Sequence, residues 1–267
     1  MKGVLSRLIE ESPSPLKARN VMREYLQARV LACLQREGAM IPLAFHGGTA
    51  LRFLYSLPRH SEDLDFALEG DPLSYDLKKY AWVIETEFHR EAYDVETRFT
   101  EDRTVQNAWI RFPGLLFEMG LSGQKREIFS LKIEVDTDPP EGARLVTTVV
   151  RRYVTLHLQH HDRSSLLAGK IHAILQRTFT KGRDLYDLLW YLSDPDWPAP
   201  NLILLNNALK QTGREGPPLT VKSWRGVLHQ CVEGLEWRNM RRDVAPFLER
   251  PEELDLLTRE NLLGLLD

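Results

Sequence analysis

Between residues 41 and 68 the hydrophobic pattern changes from a short apolar run to a helical period and then to a strand period. The run Ile41–Phe45 leads into the glycine pair Gly47–Gly48, and residues 50–57 then place apolar side chains at helical spacing. From Asp63 to Leu68 polar and apolar residues alternate, which is the period of a strand. The order strand, glycine turn, helix, strand therefore predicts a fold that contains both element types.

The remaining chain divides into a β-rich part and a helical part. Helical spacing marks residues 16–37 and 75–91, whereas 93–99, 105–112, 128–135 and 145–158 are rich in strand-forming residues. Further helices are predicted at 164–179, 184–192 and 201–211. The pattern predicts an α+β fold: a core with a mixed or antiparallel sheet over residues 1–162, followed by a helical domain over 163–267.

Composition narrows the class of protein. A net charge of −3 gives no overall attraction to nucleic acid, so an RNA partner would need a local basic patch. Cys33 and Cys231 are too few for a disulfide framework or a zinc site of paired spacing. Because no segment approaches the ~18 uninterrupted apolar residues of a membrane span, we expect a soluble, cytoplasmic protein with no membrane partner.

Asp63 and Asp65 lie two residues apart on a predicted strand, so both side chains leave the same face. Mg²⁺ is bound through one or two carboxylates together with substrate phosphates, which suits such a pair, although a solvated strand face would also explain it. The upstream turn Gly47-Gly48-Thr49 could place backbone N–H groups and a helix N-terminus against a phosphate. The alternative is a tight turn with Thr49 as a simple N-cap.

A third carboxylate occurs in the segment Leu131–Val135, where Lys132 and Glu134 share one face of a predicted strand. Glu134 could complete a metal site or deprotonate an attacking hydroxyl, and Lys132 could hold a phosphate. An exposed ion pair on the strand is the alternative interpretation.

Two more candidate groups lie in the helical part. Ser165 and Lys170 lie on one predicted helix, where the lysine could contact a triphosphate or could extend past apolar neighbours to solvent. Asp184 and Asp187 lie three residues apart on the next helix. Asp184 could also be an acid that favours the helix N-terminus through the dipole.

Together these segments resemble the AbiEii/AbiGii toxin family of nucleotidyltransferases, which is related to the MenT toxins and to the DNA polymerase β-like superfamily. Residues 47–51 followed by 59–66 resemble the first motif of that family. The second motif, Lys-x-acid, is matched by Lys132 and Glu134, and the third, Ser-x4-Lys, by Ser165 and Lys170. The fourth is matched by Asp184, with Asp187 close by.

The resemblance implies a polymerase β-like core and transfer of a nucleotide from an NTP to an acceptor hydroxyl. It implies that Asp63 and Asp65 hold Mg²⁺, or Mn²⁺ in its place, and that the glycine turn with Thr49 binds phosphates. The later lysine and aspartate would be required for activity. Some relatives extend the 3′ end of tRNA, so tRNA is an expected acceptor and an antitoxin an expected partner, while a protein or small-molecule acceptor stays open.

Two rival functions fit parts of the same pattern. A metal-dependent nuclease or phosphohydrolase could use the acids to direct water at a phosphodiester, although it would not need the glycine turn for a triphosphate. A nucleotide-binding interaction module without turnover could share the fold. Because every expected acid is present, catalysis is favoured over a binding module.

Overall fold

The computed structural model describes residues 2–267, and the chain forms two compact units. The first unit contains the chain up to Ser56 together with His60–Pro139 and Thr147–His160. The second contains Leu57–Arg59, Pro140–Val146 and His161–Asp267. Each unit is therefore assembled from separate stretches of the chain, and the predicted boundary near residue 162 stays a prediction.

The first unit is built on a mixed sheet of seven strands in the order β3-β4-β5-β2-β1-β7-β6. The strands are β1 (Leu43–His46), β2 (Asp63–Leu68), β3 (Glu96–Thr100), β4 (Val105–Pro113), β5 (Ile128–Asp136), β6 (Leu145–Arg152) and β7 (Val154–His161). Strand β2 runs antiparallel to β1 and parallel to β5, and β4 runs antiparallel to both β5 and β3. The predicted α+β class with a mixed sheet is confirmed.

Five helices accompany this sheet. They are α1 (Lys2–Glu10), α2 (Pro15–Arg36), α3 (Gly47–Tyr55), α4 (Leu77–Arg90) and α5 (Leu115–Glu118). Helix α2 begins where the Ser14 side chain accepts a hydrogen bond from the Lys17 N–H, and it ends before Gly38, whose φ is +76°. Helix α4 packs on α2 and on strands β3 and β4, so the core lies between this helical layer and the sheet.

Alternation along the strands separates a buried face of the sheet from a polar one. Leu64 and Phe66 of β2 and Ile133 and Val135 of β5 are at most 1% exposed, whereas the residues between them are half-buried. Burying one face of each strand fixes the register, because a shift of one residue would move the apolar set to the opposite face.

The second unit is helical from Arg163 onward. Its helices are α6 (Arg163–Gln176), α7 (Gly182–Leu192), α8 (Leu202–Gln211), α9 (Trp224–Glu233), α10 (Trp237–Val244) and α11 (Arg259–Gly264). Helix α7 packs on α6 and α10, and a Cβ at Gly182 would lie 2.6 Å from the Met240 carbonyl carbon. Only glycine allows that approach between α7 and α10. None of the described helices is long and apolar enough to cross a membrane.

Two boundaries differ from the expectations. The predicted glycine turn is instead the first turn of α3, and its N-cap is His46, so Thr49 is not an N-cap. The single stretch predicted at residues 145–158 forms two strands, β6 and β7, separated at Tyr153, whose φ of +60° interrupts the extended chain. A period of two does not reveal such an interruption when strand-forming residues continue on both sides of it.

Candidate active site

Gly47 lies where strand β1 passes into helix α3 and is in close contact with Asp65. Its φ is +78°, and a Cβ at this position would overlap a carboxylate oxygen of Asp65 and lie 3.0 Å from its Cγ. His46, the preceding residue, pairs with Asp65 in the antiparallel register of β1 and β2. Glycine is thus required twice, for the backbone conformation and for the space that the Asp65 carboxylate occupies. The start of α3 and the Asp65 carboxylate are held side by side.

The four polar residues of the predicted acid site share one face of the sheet. Asp63 pairs with Lys132, and Asp65 with Glu134, in the parallel register of β2 and β5. Their neighbours along both strands are buried on the other side. We call the side that carries Asp63, Asp65, Lys132 and Glu134 the acid face. The register therefore confirms that Asp63 and Asp65 share one face of the sheet, as do Lys132 and Glu134.

Thr49 is fully buried in the first turn of α3, and its hydroxyl donates a short hydrogen bond to the backbone carbonyl of Asp63. This bond ties the helix to the first residue of β2. The contact positions the strand that carries the aspartates, so the Thr49 side chain is used inside the protein.

Lys132 donates a hydrogen bond to Glu134 at 2.6 Å. Among residues 2–267, no group of three or more His, Cys, Asp or Glu side chains is arranged to hold a metal ion. Glu134, the predicted third ligand, is bonded to its neighbouring lysine, and its role as a metal ligand stays a prediction. The Lys132–Glu134 ion pair, which was the alternative interpretation, is therefore present. It lies on the face of the sheet that also carries Asp63 and Asp65.

A second set of charged groups joins helices α6 and α7. The Lys170 Nζ lies 2.7 Å from Asp187 Oδ2 and 3.1 Å from Asp184 Oδ1. Asp187 also accepts two hydrogen bonds of 2.6 Å from Arg59, through Nε and Nη2, and Asp184 forms a short ion pair with Arg177. The structure therefore brings the predicted Lys170, Asp184 and Asp187 into direct contact.

The charges in this set stabilise one another although most of them lie away from solvent. Burial acts to lower the pKa of Lys170, but the carboxylates of Asp187 and Asp184 outweigh it and hold the pKa above its ordinary value. Burial acts to raise the pKa of Asp184, but Lys170 and Arg177 hold it below the ordinary range. Lys170 is accordingly a charged group whose side chain is only 12% exposed, and the interpretation that it extends to solvent is wrong.

Ser165 lies in the first turn of α6 and is 1% exposed. Its Oγ accepts hydrogen bonds from the Arg144 N–H and from Asn201 Nδ2, each at 3.1 Å. The hydroxyl therefore connects α6 to the loop before β6 and to the start of α8.

Sequence reasoning missed two partners of these groups. Arg59, only 2% exposed, was part of the first motif but carried no assigned role. Glu24 lies inside the predicted helix 16–37, and its buried carboxylate forms ion pairs with Arg52 and Arg152 and accepts a hydrogen bond from Tyr153. An acid inside an apolar helical pattern was the only local signal for this cluster.

A cavity of about 480 Å³ lies in the second unit and contains none of the predicted site residues. It is lined mainly by Tyr186, Leu189 and Trp190 of α7 and by Arg250, Glu253 and Leu256. This cavity is thus separate from the Lys170 set.

Comparison with known protein families gives the decisive observation. The model of the AbiEii nucleotidyl transferase toxin of type IV toxin–antitoxin systems matches residues 29–259, which include every predicted site residue. The chain belongs to the AbiEii family. Its members are nucleotidyltransferases, so the predicted enzyme class and the resemblance of the motifs are confirmed.

Solved structures show that the fold is shared with more distant proteins. MenT4, a nucleotidyltransferase toxin of Mycobacterium tuberculosis, superposes with a TM-score of 0.59 at 16% identity, covering all of this AbiEii chain and 90% of MenT4. JHP933 from Helicobacter pylori superposes with a TM-score of 0.57 at 18% identity. The match covers 92% of this chain and 90% of JHP933.

A putative nucleotidyltransferase of Helicobacter pylori gives a TM-score of 0.51 at 16% identity, covering 90% of this chain and 91% of its own. At these identities the likeness establishes the fold alone. No protein with a curated function matches this AbiEii chain in sequence.

Proposed function

We propose that this chain transfers a nucleoside monophosphate from an NTP to an acceptor hydroxyl, with Asp63 and Asp65 at the reacting phosphate. The observation that carries the proposal is the packing of the Asp65 carboxylate against Gly47 at the start of α3. It brings an acid pair next to a helix N-terminus, where backbone N–H groups favour phosphate. A nuclease needs the acids but not this adjoining phosphate cradle.

The carboxylates of Asp63 and Asp65 are ligands of the kind that a divalent cation prefers. Asp63 and Asp65 supply carboxylate oxygens from one face of β2, and Mg²⁺ binds typically through one or two carboxylates plus substrate phosphates. Asp63 and Asp65 would hold Mg²⁺, or Mn²⁺ in its place, and the ion would neutralise charge on the triphosphate as pyrophosphate leaves.

The chain's own residues position the reactants and take up the proton. Backbone N–H groups of Gly47 and Gly48 hold the triphosphate at the start of α3. The acceptor oxygen forms a bond to the α-phosphorus while the bond from that phosphorus to the β-phosphate oxygen breaks. Glu134 accepts the hydroxyl proton on a carboxylate oxygen, and Lys132 orients this carboxylate.

Lys170 and Asp184 are required for activity in this proposal, because they match the third and fourth motifs of the family. Of the two aspartates, Asp187 is enclosed by Arg59 and Lys170, so we give it the role of fixing the lysine. The hydroxyls of Ser165 and Thr49 do not contact the nucleotide in this proposal, because both are hydrogen-bonded within the protein. These roles place functional side chains in the helical part after residue 162.

The acceptor in this proposal is an RNA 3′ end, and tRNA is the first candidate. The family description names a type IV toxin–antitoxin system, which supports an antitoxin encoded as the partner of this toxin.

The test is an assay with each labelled NTP, total cellular RNA and Mg²⁺, comparing wild type with Asp65→Asn. Removing one carboxylate charge should lower transfer by at least 100-fold and leave the melting temperature within about 2 °C, because no core cavity is opened. Asp94→Asn is the matched control, since Asp94 is an exposed carboxylate of the same unit.

Full activity of Asp65→Asn would contradict the assignment. Shortening of the RNA without incorporation of label would favour the nuclease, and binding of NTP without either reaction would favour the inactive module.

A further inference from the structure

The acid face continues beyond the acids onto strands β4 and β3. In the register of these strands, Lys132 pairs with Trp109, and Trp109 pairs with Arg98. A row therefore crosses the sheet in the order Asp63, Lys132, Trp109, Arg98. Strands are spaced about 4.8 Å apart, so Trp109 lies ~10 Å from Asp63 along this row.

Trp109 is an unusual residue for the exposed side of a strand. It is 41% exposed although its neighbours Ala108 and Ile110 are fully buried. The Lys132 Nζ lies 5.4 Å from the ring centroid, and a large part of the indole stays open to solvent. An open indole beside a cation is a surface on which a nucleobase can stack.

Arg98 adds a positive charge at the far end of the row. Its side chain is exposed and forms no ion pair with any residue in the described range 2–267. A guanidinium without an acidic partner is available to a phosphate. By contrast, Arg111 on the same strand as Trp109 is already paired with Glu96.

A parallel row contains a polar group that lacks a partner. Asn107 pairs with Glu134 in the register, and its Nδ2 donates to the Val105 carbonyl. Its Oδ1 is inaccessible to solvent and accepts no hydrogen bond within the part of the chain that the structure describes. Buried polar atoms of this kind are normally satisfied by a hydrogen bond, so Asn107 marks an incomplete polar contact beside Glu134.

The strand order separates two sides of the acid pair. Helix α3 begins after β1, on one side of β2, whereas β5, β4 and β3 lie on the other side. If the triphosphate occupies the start of α3, the acceptor must approach the reacting phosphate from the β5 side.

We propose that the β5-β4-β3 part of the acid face binds the single-stranded end of a nucleic-acid acceptor, with a base stacked on Trp109 and a phosphate held by Arg98. This inference rests on the proposed transferase function, because the position of the triphosphate defines the acceptor side. It assigns a polynucleotide rather than a protein or a small molecule as the acceptor. Trp109 and Arg98 are binding residues in this assignment and take no part in proton transfer.

The experiment measures binding without turnover. Fluorescence anisotropy of fluorescein-labelled octaribonucleotides, one of adenosine and one of uridine, is recorded with the full chain and no NTP. Trp109→Ala should raise the Kd about 5- to 150-fold, which is the usual cost of losing one base stack, while Trp109→Phe should retain most of the affinity. Trp82→Ala is the matched control, because Trp82 is 67% exposed on α4 and lies off the acid face.

Arg98→Ala provides a second variant on an exposed side chain. It should lower the slope of log Kd against log salt concentration by about 0.7, as expected for one phosphate contact with a single strand. Arg7→Ala, an exposed arginine of α1, should leave the slope unchanged. Melting temperatures show whether each variant is folded.

The outcomes separate this inference from the transferase function. Weakened binding of NTP with unchanged binding of the oligonucleotides in Trp109→Ala would overturn it, because the stacked base would then belong to the NTP. Unchanged binding of both, or no oligonucleotide binding by wild type, would also overturn it. Asp65→Asn should still bind the oligonucleotides, because Asp65 has no binding role in this inference. Nucleotide transfer by the wild type is measured separately, in the assay with labelled NTP.

Discussion

Asp184 and Asp187 lie one turn apart on α7, yet their surroundings give them different properties. Asp187 is 1% exposed and bonded by Arg59 in a two-point contact as well as by Lys170. Asp184 shares Lys170, but its other partner, Arg177, has a side chain that is 42% exposed. Solvent can therefore compensate Arg177 for a lost partner, whereas Arg59 would be left charged inside the protein.

Asp187→Asn should consequently destabilise the protein by about 3–5 kcal/mol, the usual cost of breaking a buried ion pair. Asp184→Asn should cost clearly less stability while lowering nucleotide transfer. Urea unfolding at pH 7 together with the transfer assay measures both quantities.

A double variant tests the physical reason. Adding Arg59→Met to Asp187→Asn should recover part of the lost stability, because the uncompensated charge is then removed as well. Equal destabilisation by the two single aspartate variants would contradict the difference in their surroundings.

At the scale of elements, one buried acid connects segments that are distant in sequence. Glu24 of α2 forms ion pairs with Arg52 of α3 at 2.5 Å and with Arg152 at the end of β6 at 2.9 Å. Burial acts to raise the pKa of Glu24, but His60, Arg52 and Arg152 outweigh it and hold the pKa well below the ordinary value of 4.5. Helices α2 and α3 and strand β6 are thus held together through one carboxylate.

Because the pKa of Glu24 is lowered in the folded state, the protein should lose stability in acid. The stabilisation is present above the ordinary pKa of about 4.5 and is lost as the pH falls below it toward the lower pKa of the folded state. The free energy of unfolding of the wild type should therefore fall more steeply between pH 5 and pH 3 than that of Glu24→Gln. At pH 7, Glu24→Gln should be destabilised by ~3–5 kcal/mol.

Urea unfolding at several pH values checks this expectation. Glu118→Gln is the control, because the Glu118 carboxylate pairs with Lys2 at the surface and should contribute less than ~1 kcal/mol. Parallel pH profiles for wild type and Glu24→Gln would show that Glu24 is not the group responsible.

At the scale of the whole molecule, family membership leads to an expectation in the cell. A nucleotidyltransferase toxin should arrest growth through catalysis, so expression of the wild type in a bacterial host should slow growth. The double change Asp63→Ala, Asp65→Ala removes both acids of one strand face and should restore normal growth. Growth curves with equal protein levels, checked by immunoblot, provide the measurement.

Asp94→Asn should remain as toxic as wild type, since it leaves the acid face intact. Toxicity that persists in the double variant would mean that harm comes from binding rather than from transfer.

Features that depend on the local period could be predicted from the amino-acid order alone. Alternation in β2 and β5 placed Asp63 with Asp65 and Lys132 with Glu134 on one face each, and helical spacing located Lys170 and the α7 aspartates. These inferences succeeded because the side on which a residue lies follows from its own strand or helix. Together with the motifs they also pointed to the family.

Which faces and which charges meet could be read only from the folded chain. The register that pairs Asp65 with Glu134, the overlap of Gly47 with the Asp65 carboxylate and the bond from Arg59 to Asp187 join residues far apart in the chain. A local period states which side a residue occupies but not its partner, because partners are selected by burying apolar surface and by compensating buried charge. For the same reason, Trp109 became part of the acid face only when β4 was placed beside β5.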